Sequence, residues 1–267
     1  MRAPELFDVP VRGGNLCVAR WAGREGAPVV MAAHGVTANH RNFALLADIL
    51  GDEVTLLAPD LRGRCGSLGL GGPFGMRAHA EDMVATLDHL GISEATFLGH
   101  SMGGFVVPVA ALLFPERVRS VVVGDGGLKV VDLPPGADIE EVARHILGPS
   151  MERLRMTFET REAYREFWRP HPALAEVSAE HLDAYLDYDL GGEPGAYRSR
   201  VTVEAVVRDS TDTLADEEIL DATERVTQPF MFLHAARGIF NETPGLFGED
   251  KVSVLRERVP HVQTALV

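Results

Sequence analysis

Two short alternating runs, residues 5–11 and 15–21, flank Gly13 and Gly14, and alternation about a glycine pair predicts a β-hairpin. The pattern then changes. Residues 28–33 (Pro-Val-Val-Met-Ala-Ala) form an unbroken apolar run, expected of a strand covered on both faces of a parallel sheet. Similar runs recur at 54–58, 95–99, 118–123 and 229–233, and a last strand is predicted over 262–267. Between them, residues 43–50, 76–90, 105–114 and 251–258 carry helical patterning, and the first two end against Gly51 and Gly91. This alternation predicts an α/β fold with a mainly parallel central sheet flanked by helices. From about residue 130 the character differs: helices are predicted at 139–147, 151–158, 161–168, 179–186 and 197–207, with few strand-like runs. A helical block between two strands of one sheet predicts a core of residues 1–129 and 225–267 carrying a helical cap, or lid, of residues 130–224.

Composition narrows the function classes. The 267 residues are 46% hydrophobic and 24% charged, enough to bury a sizeable core. A net charge of −14 argues against nucleic acid as a partner, because neutralising phosphates requires clustered cations. Arg153, Arg155, Arg161 and Arg165 do cluster, but Glu152, Glu159, Glu162 and Glu166 lie among them, as on a solvated helix face. Two cysteines, Cys17 and Cys65, are too few for a disulfide framework. The first ten residues lack an apolar signal region, and no apolar run approaches the ~20 residues of a membrane span. The expectation is a cytoplasmic protein with a small-molecule partner, binding neither nucleic acid nor membrane. No metal-binding spacing occurs, and Gly69-Leu70-Gly71-Gly72-Pro73-Phe74 fails the dinucleotide fingerprint at Phe74, so no cofactor is expected.

Candidate chemistry centres on Phe97-Leu98-Gly99-His100-Ser101-Met102-Gly103-Gly104-Phe105. The G-x-S-x-G spacing falls between a predicted strand and a predicted helix, at the end of the sheet where open α/β folds bind ligands. A nucleophile on so sharp a turn needs small neighbours, and Gly99 and Gly103 supply them. A second loop, His34-Gly35-Val36-Thr37, follows another buried strand. Loops of this kind set a backbone N–H, here that of Val36, opposite the N–H of Met102, forming a two-donor oxyanion hole.

Taken together, the chain resembles the α/β-hydrolase superfamily, in its serine-nucleophile, esterase-like branch with a helical cap. The stretches that carry the resemblance are AAHGVTANHRNF (32–43), APDLRGRCGS (58–67), FLGHSMGGF (97–105) and VRSVVVGDGG (118–127), with residues 228–267 completing it. Family members that open epoxides or remove halogens carry aspartate as nucleophile. Serine at 101 implies acyl transfer through a covalent acyl-enzyme.

The resemblance also implies triad partners in the order serine, acid, histidine. Two strand ends can supply the acid. Asp125 follows the strand beside the nucleophile strand, in Gly124-Asp125-Gly126-Gly127. The commoner family position, after the next strand, falls near Asn241, a neutral amide, so Asp125 is favoured, with Glu242 and then Asp250 behind it. The histidine is expected in the loop after the last strand, and none stands there, so the base is expected just after Val267. His261 precedes that strand. Of the others, His234 ends a strand on the correct face and is the best local substitute. His34 and His100 read as structural neighbours of the site, and His40 as a residue of the pocket mouth. His79, His89, His145, His171 and His181 read as helix-surface or cap residues. Phe158, Tyr164, Phe167 and Trp168 are expected in the cap core, a minority facing the pocket.

The resulting expectation is a carboxylesterase-like serine hydrolase, cleaving an ester or related acyl bond of a small, largely apolar substrate. Carbon–carbon hydrolase, lactonase, thioesterase and acyltransferase chemistry would use the same residues. A non-catalytic ligand-binding member of the fold, lacking the base, is the rival from another class.

Overall fold

The computed structural model describes the backbone of residues 1–267 and every side chain except that of Ala173. The hairpin strands β1 (Glu5–Val11) and β2 (Gly14–Trp21) are followed by β3 (Val29–Ala33), α1 (Ala44–Leu50), β4 (Thr55–Pro59) and α2 (Met76–His89). Then come β5 (Ala95–His100), α3 (Gly103–Leu113) and β6 (Val118–Gly124). A helical stretch follows: α4 (Ile139–Leu147), α5 (Pro149–Glu152), α6 (Arg161–Trp168) and α7 (Ala179–Asp189). A two-residue pairing of β7 (Leu190–Gly191) with β8 (Arg198–Ser199) precedes α8 (Val203–Ala215) and α9 (Glu217–Leu220). The chain returns to the sheet with β9 (Phe230–His234), α10 (Glu249–Arg258) and β10 (Val262–Leu266).

The eight long strands form one sheet in the order β1-β2-β4-β3-β5-β6-β9-β10. The hairpin pairs antiparallel within itself and with β4, and every later neighbour is parallel. The carboxyl ends of six strands therefore share one edge, and β5 lies near the middle of it. Helix α3 is apolar on every side and buried along most of its length, which fits a helix pressed between the sheet and its neighbours. Its residues Phe105, Val106 and Val109 join Met31, Phe97, Val121 and Phe232 of the strands and Met83 of α2 in the main core.

Helix limits within residues 130–224 depart from expectation in two places. Residues 151–158 do not form one helix: α5 tightens into a 3-10 turn through Arg155, and Phe158 pairs in extended conformation with Tyr197. That pairing also delays α8, which starts after Thr202, whose hydroxyl accepts from Ala205 N–H (3.4 Å) as an N-cap. The arginine cluster read as a solvated face is only partly so. Arg153 is 1% exposed, its Nε 3.2 Å from Asp189 and its Nη2 donating to Thr37 O (2.5 Å). Arg165 does lie outward, bridging Glu162, Asp183 and Asp187.

Helix α8 is joined to the sheet side by polar contacts. Asp209 and Asp212 accept the N–H groups of Gly75 (2.7 Å) and Met76 (3.0 Å) at the start of α2. Among the described residues no helix is long and apolar enough to cross a membrane.

Candidate active site

Ser101 sits on the turn between β5 and α3 with φ 54°, a left-handed conformation that costs a serine ~1 kcal/mol or more and persists only where the surroundings enforce it. The enforcement is visible. Ser101 N–H donates to Gly124 O (2.9 Å), and Gly104 N–H donates back to Ser101 O (2.8 Å). A Cβ on Gly99 would overlap the Gly103 carbonyl, and one on Gly103 would overlap the Ala33 carbonyl. The two motif glycines therefore answer to close backbone approach, as their spacing implied. Gly126 adds a third contact: a Cβ there would overlap the Ser101 carbonyl oxygen. The turn after β6 is thus pressed against the turn that holds Ser101.

Asp125 occupies that second turn, also left-handed (φ 46°), with its N–H donating to Leu233 O of β9 (2.8 Å). Its carboxylate accepts from Ala235 N–H (3.4 Å) and lines the same small cavity as Ser101. Burial raises the Asp125 pKa above the ordinary carboxylate value, opposed by that N–H and by His100 and His234. The later candidates stand apart from Ser101. Glu242 and Asn241 are exposed in a turn closed by Gly238 N–H donating to Glu242 O (2.9 Å), and Asp250, in the first turn of α10, borders a different surface cavity.

Val36 and Met102, the proposed oxyanion donors, both line the cavity wall with Ser101. Gly35 brings the first loop in: a Cβ on it would stand 3.4 Å from the Ser101 Cβ and 3.6 Å from Oγ. Among the described residues the N–H groups of Val36 and Met102 donate to nothing, so both are free for a ligand oxygen. The Val36 carbonyl is held from behind by Arg64, whose Nε (3.1 Å) and Nη2 (2.8 Å) both donate to it. Arg64 is fully buried, and its Nη1 lies 2.5 Å from Asp209, which also holds His79 Nε2 (3.0 Å). His79 is therefore a buried partner rather than a surface residue. Asp209 lies far along the chain from both, and nothing local in the sequence announced the trio.

The histidines divide clearly. His34 donates from Nδ1 to Gly35 O (2.8 Å) and accepts Leu61 N–H at Nε2 (3.0 Å), and burial lowers its pKa to about 3. It is a neutral strut with both nitrogens engaged. His40 is not at the pocket mouth: it is buried, bonded to Asp60 (3.0 Å) and edge-on to the Tyr188 ring at 4.5 Å. His100 is exposed beside Asn42 (3.4 Å). His234 ends β9 and donates from Nδ1 to Phe247 O (3.2 Å), outside both cavities that Ser101 lines. His89 and His145 are exposed, and His261 lies ahead of β10. His181 is held by Asp48 (2.9 Å) and Ser178 (2.6 Å). The Ser101 hydroxyl makes no hydrogen bond to another described group. At the carboxyl edge, Leu266 pairs with His234, Val267 N–H donates to His234 O (2.9 Å), and Ala236 N–H donates to Val267 O (3.1 Å). The end of β10 thus lies two strands from Asp125.

Two cavities meet at Ser101. One of about 80 Å³ is walled by Phe105, Asp125, Leu214 and Phe247. The other, about 320 Å³, opens between the Val36 loop and helices α4 to α7, with Trp168 and Leu186 from the aromatic cluster in its wall. Among the described residues no group of three or more side chains suited to a metal ion was found.

A strained serine on a strand-to-helix turn, faced by two unused backbone N–H groups, defines a site of the α/β-hydrolase kind. The family described as alpha/beta hydrolase fold matches residues 28–171, more than half of the chain, and the protein belongs to it. The chain is 24% identical over 243 residues to 3-oxoadipate enol-lactonase 2 of Acinetobacter baylyi, covering 81% of this chain and 90% of that protein. It is 36% identical over 127 residues to epoxide hydrolase A of Mycobacterium tuberculosis, covering 45% of this chain and 38% of that one. Among solved structures, E-2-(acetamidomethylene)succinate hydrolase superposes with a TM-score of 0.77 at 20% identity, over 99% of this chain and 90% of that one.

Proposed function

We propose that the protein is a serine hydrolase that cleaves an ester or related acyl bond through an acyl-enzyme on Ser101. The observation that carries this reading is the conjunction at one turn: a serine at φ 54° opening on two cavities, with the N–H groups of Val36 and Met102 unspent beside it. Attack by Oγ on a carbonyl carbon moves charge onto the carbonyl oxygen, and fixed donors that need no reorganisation stabilise that charge. Asp125 is the acid, suited to hold a histidine in the correct tautomer and to stabilise its protonated form. The base this reaction requires is an imidazole that reaches both Asp125 and Ser101. Residues 130–224 act as the cap, and their apolar wall on the larger cavity receives the organic part of the substrate. A lactone is a cyclic ester and would be opened by the same steps, a variant of the reading favoured by the long match to an enol-lactonase.

The test uses residues 1–267 with a short activated ester. With no imidazole hydrogen-bonded to the Ser101 hydroxyl among the described residues, turnover is slow but not zero, since oxyanion stabilisation and binding still give ~10³-fold over water. Added imidazole, acting as an external base, accelerates hydrolysis by the native chain above the rate with Ser101→Ala. Equal rates for the two proteins, with and without imidazole, would remove Ser101 from the mechanism.

A further inference from the structure

The larger cavity beside Ser101 has an unusual charge balance. The chain carries 39 acidic and 25 basic residues, yet no aspartate or glutamate is among the residues that line this cavity. Arg41, in the 3-10 turn His40–Phe43 that leads into α1, does line it. Most arginines of the described chain meet a carboxylate: Arg62 grips Asp82 in two contacts (2.6 and 2.7 Å), Arg64 meets Asp209 (2.5 Å) and Arg153 meets Asp189 (3.2 Å). Arg41 meets none among the described residues, and its Nε is buried without a hydrogen-bond partner. Its guanidinium rests 5.8 Å from the centre of the Tyr188 ring, which orients the group without neutralising it.

His171 lines the same cavity and is 7% exposed, with both ring nitrogens buried and unpartnered. Its ring stands 5.5 Å from that of Trp168 and 6.1 Å from that of Phe240, so aromatic packing fixes it while leaving its polar atoms unmet. Burial holds His171 below its ordinary pKa, so it is neutral and offers one N–H and one lone pair. A buried polar group without a partner is costly, and Arg41 and His171 both turn such groups to one cavity that a polar ligand could enter. Trp168 Nε1, in the same wall, is a further buried donor without a partner, whereas His181 is held by Asp48 and Ser178, and His100 lies at the exposed rim by Asn42.

We infer that this cavity binds substrates that carry a carboxylate, with Arg41 as the cation that receives it and the His171 ring N–H as a second donor. The inference rests on the reading of Ser101 as the nucleophile, and it specifies the substrate class for that site: an acyl compound with a free carboxylate on the part held under the cap. Apolar walls such as Leu174, Leu182 and Leu186 accommodate the carbon chain, and the planar fork of Arg41 suits a two-pronged grip on the acid.

The experiment is a calorimetric titration of the full chain with glutarate and, separately, with its neutral diamide. Neither compound needs the chemical step, so the result is independent of turnover. Glutarate is expected to bind at least ~10-fold tighter than the diamide, the size of one charge-assisted hydrogen bond. Arg41→Gln should abolish that preference, Arg41→Lys should retain part of it, and His171→Phe should reduce it. Glutarate should also slow phosphonate labelling of Ser101 in the native protein, which locates the ligand beside the nucleophile. Equal binding of the two compounds, or a preference that Arg41→Gln leaves intact, overturns the inference. Failure of Ser101 to label at all strikes the hydrolase reading instead, and the titration still decides the carboxylate site.

Discussion

Replacing Arg64 by methionine removes a guanidinium that is wholly buried and that ties the Val36 loop to α8. The side chain donates twice to Val36 O and once to Arg62 O (2.7 Å), and it faces Asp209 at 2.5 Å. Methionine fills much of the volume but supplies none of these donors. Removing one partner of a buried ion pair costs ~3–5 kcal/mol, because the other charge is left without compensation. Against a total stability of ~5–15 kcal/mol this is a large share. Urea unfolding at pH 7 should show a lower midpoint at unchanged slope, and thermal unfolding a fall of roughly 10 °C. The pH dependence adds a sign. Burial alone would raise the Asp209 pKa, but the charges of His79 and Arg64 and their hydrogen bonds hold it well below the ordinary carboxylate range. A depressed carboxylate contributes stability above its unfolded pKa and loses it as pH falls toward the folded one. The gap between native protein and variant should therefore be full at neutral pH and narrow below pH ~4. The double variant Arg64→Met/Asp209→Leu should recover part of the loss, since it removes the stranded charge. A single-variant loss under ~1 kcal/mol, or no coupling in the double variant, would refute the reasoning.

Two further outcomes follow from the turns around Ser101. Gly103→Ala sets a methyl group against the Ala33 carbonyl, so the turn must shift; labelling of Ser101 by a phosphonate should slow ~100-fold, the scale expected of a 1 Å misplacement, and an unchanged rate would contradict the close packing. Asp125→Asn removes a carboxylate whose pKa burial has raised. A raised carboxylate gives full stability below its unfolded pKa and loses it as pH rises through the folded one, so the variant should melt above the native protein at pH 7–8 and with it near pH 3, while catalysis by a histidine-completed site falls by ~10⁴. A melting temperature at pH 7–8 below that of the native protein would contradict the burial argument.

Much of this site was legible because its determinants are local. Gly99, Ser101 and Gly103 fall within five residues, and the constraint they answer to is contact between successive backbone segments. The parallel sheet was legible for a similar reason, since strands buried on both faces show as unbroken apolar runs. The parts that escaped depend on distant partners. His79 sits on an amphipathic helix and reads as surface until Asp209, 130 residues later, comes to meet it. Arg153 lies among glutamates in sequence but is drawn inward by Asp189 and Tyr164. His40 follows the oxyanion loop as a pocket residue would, yet Asp60 and Tyr188 take it into the interior. Arg41 and His171 owe their interest to having no partner, a property that spacing along the chain does not encode.

The central claim is that Ser101 is a nucleophile set for acyl transfer, and covalent modification tests it most directly. The full chain is incubated with a fluorophosphonate, its intact mass is followed, and the modified peptide is sequenced by mass spectrometry. The account predicts a single adduct on Ser101, formed slowly, accelerated by added imidazole and absent from Ser101→Ala. A protein that stays unmodified at Ser101 under those conditions, or that carries its adduct on another residue, would contradict it.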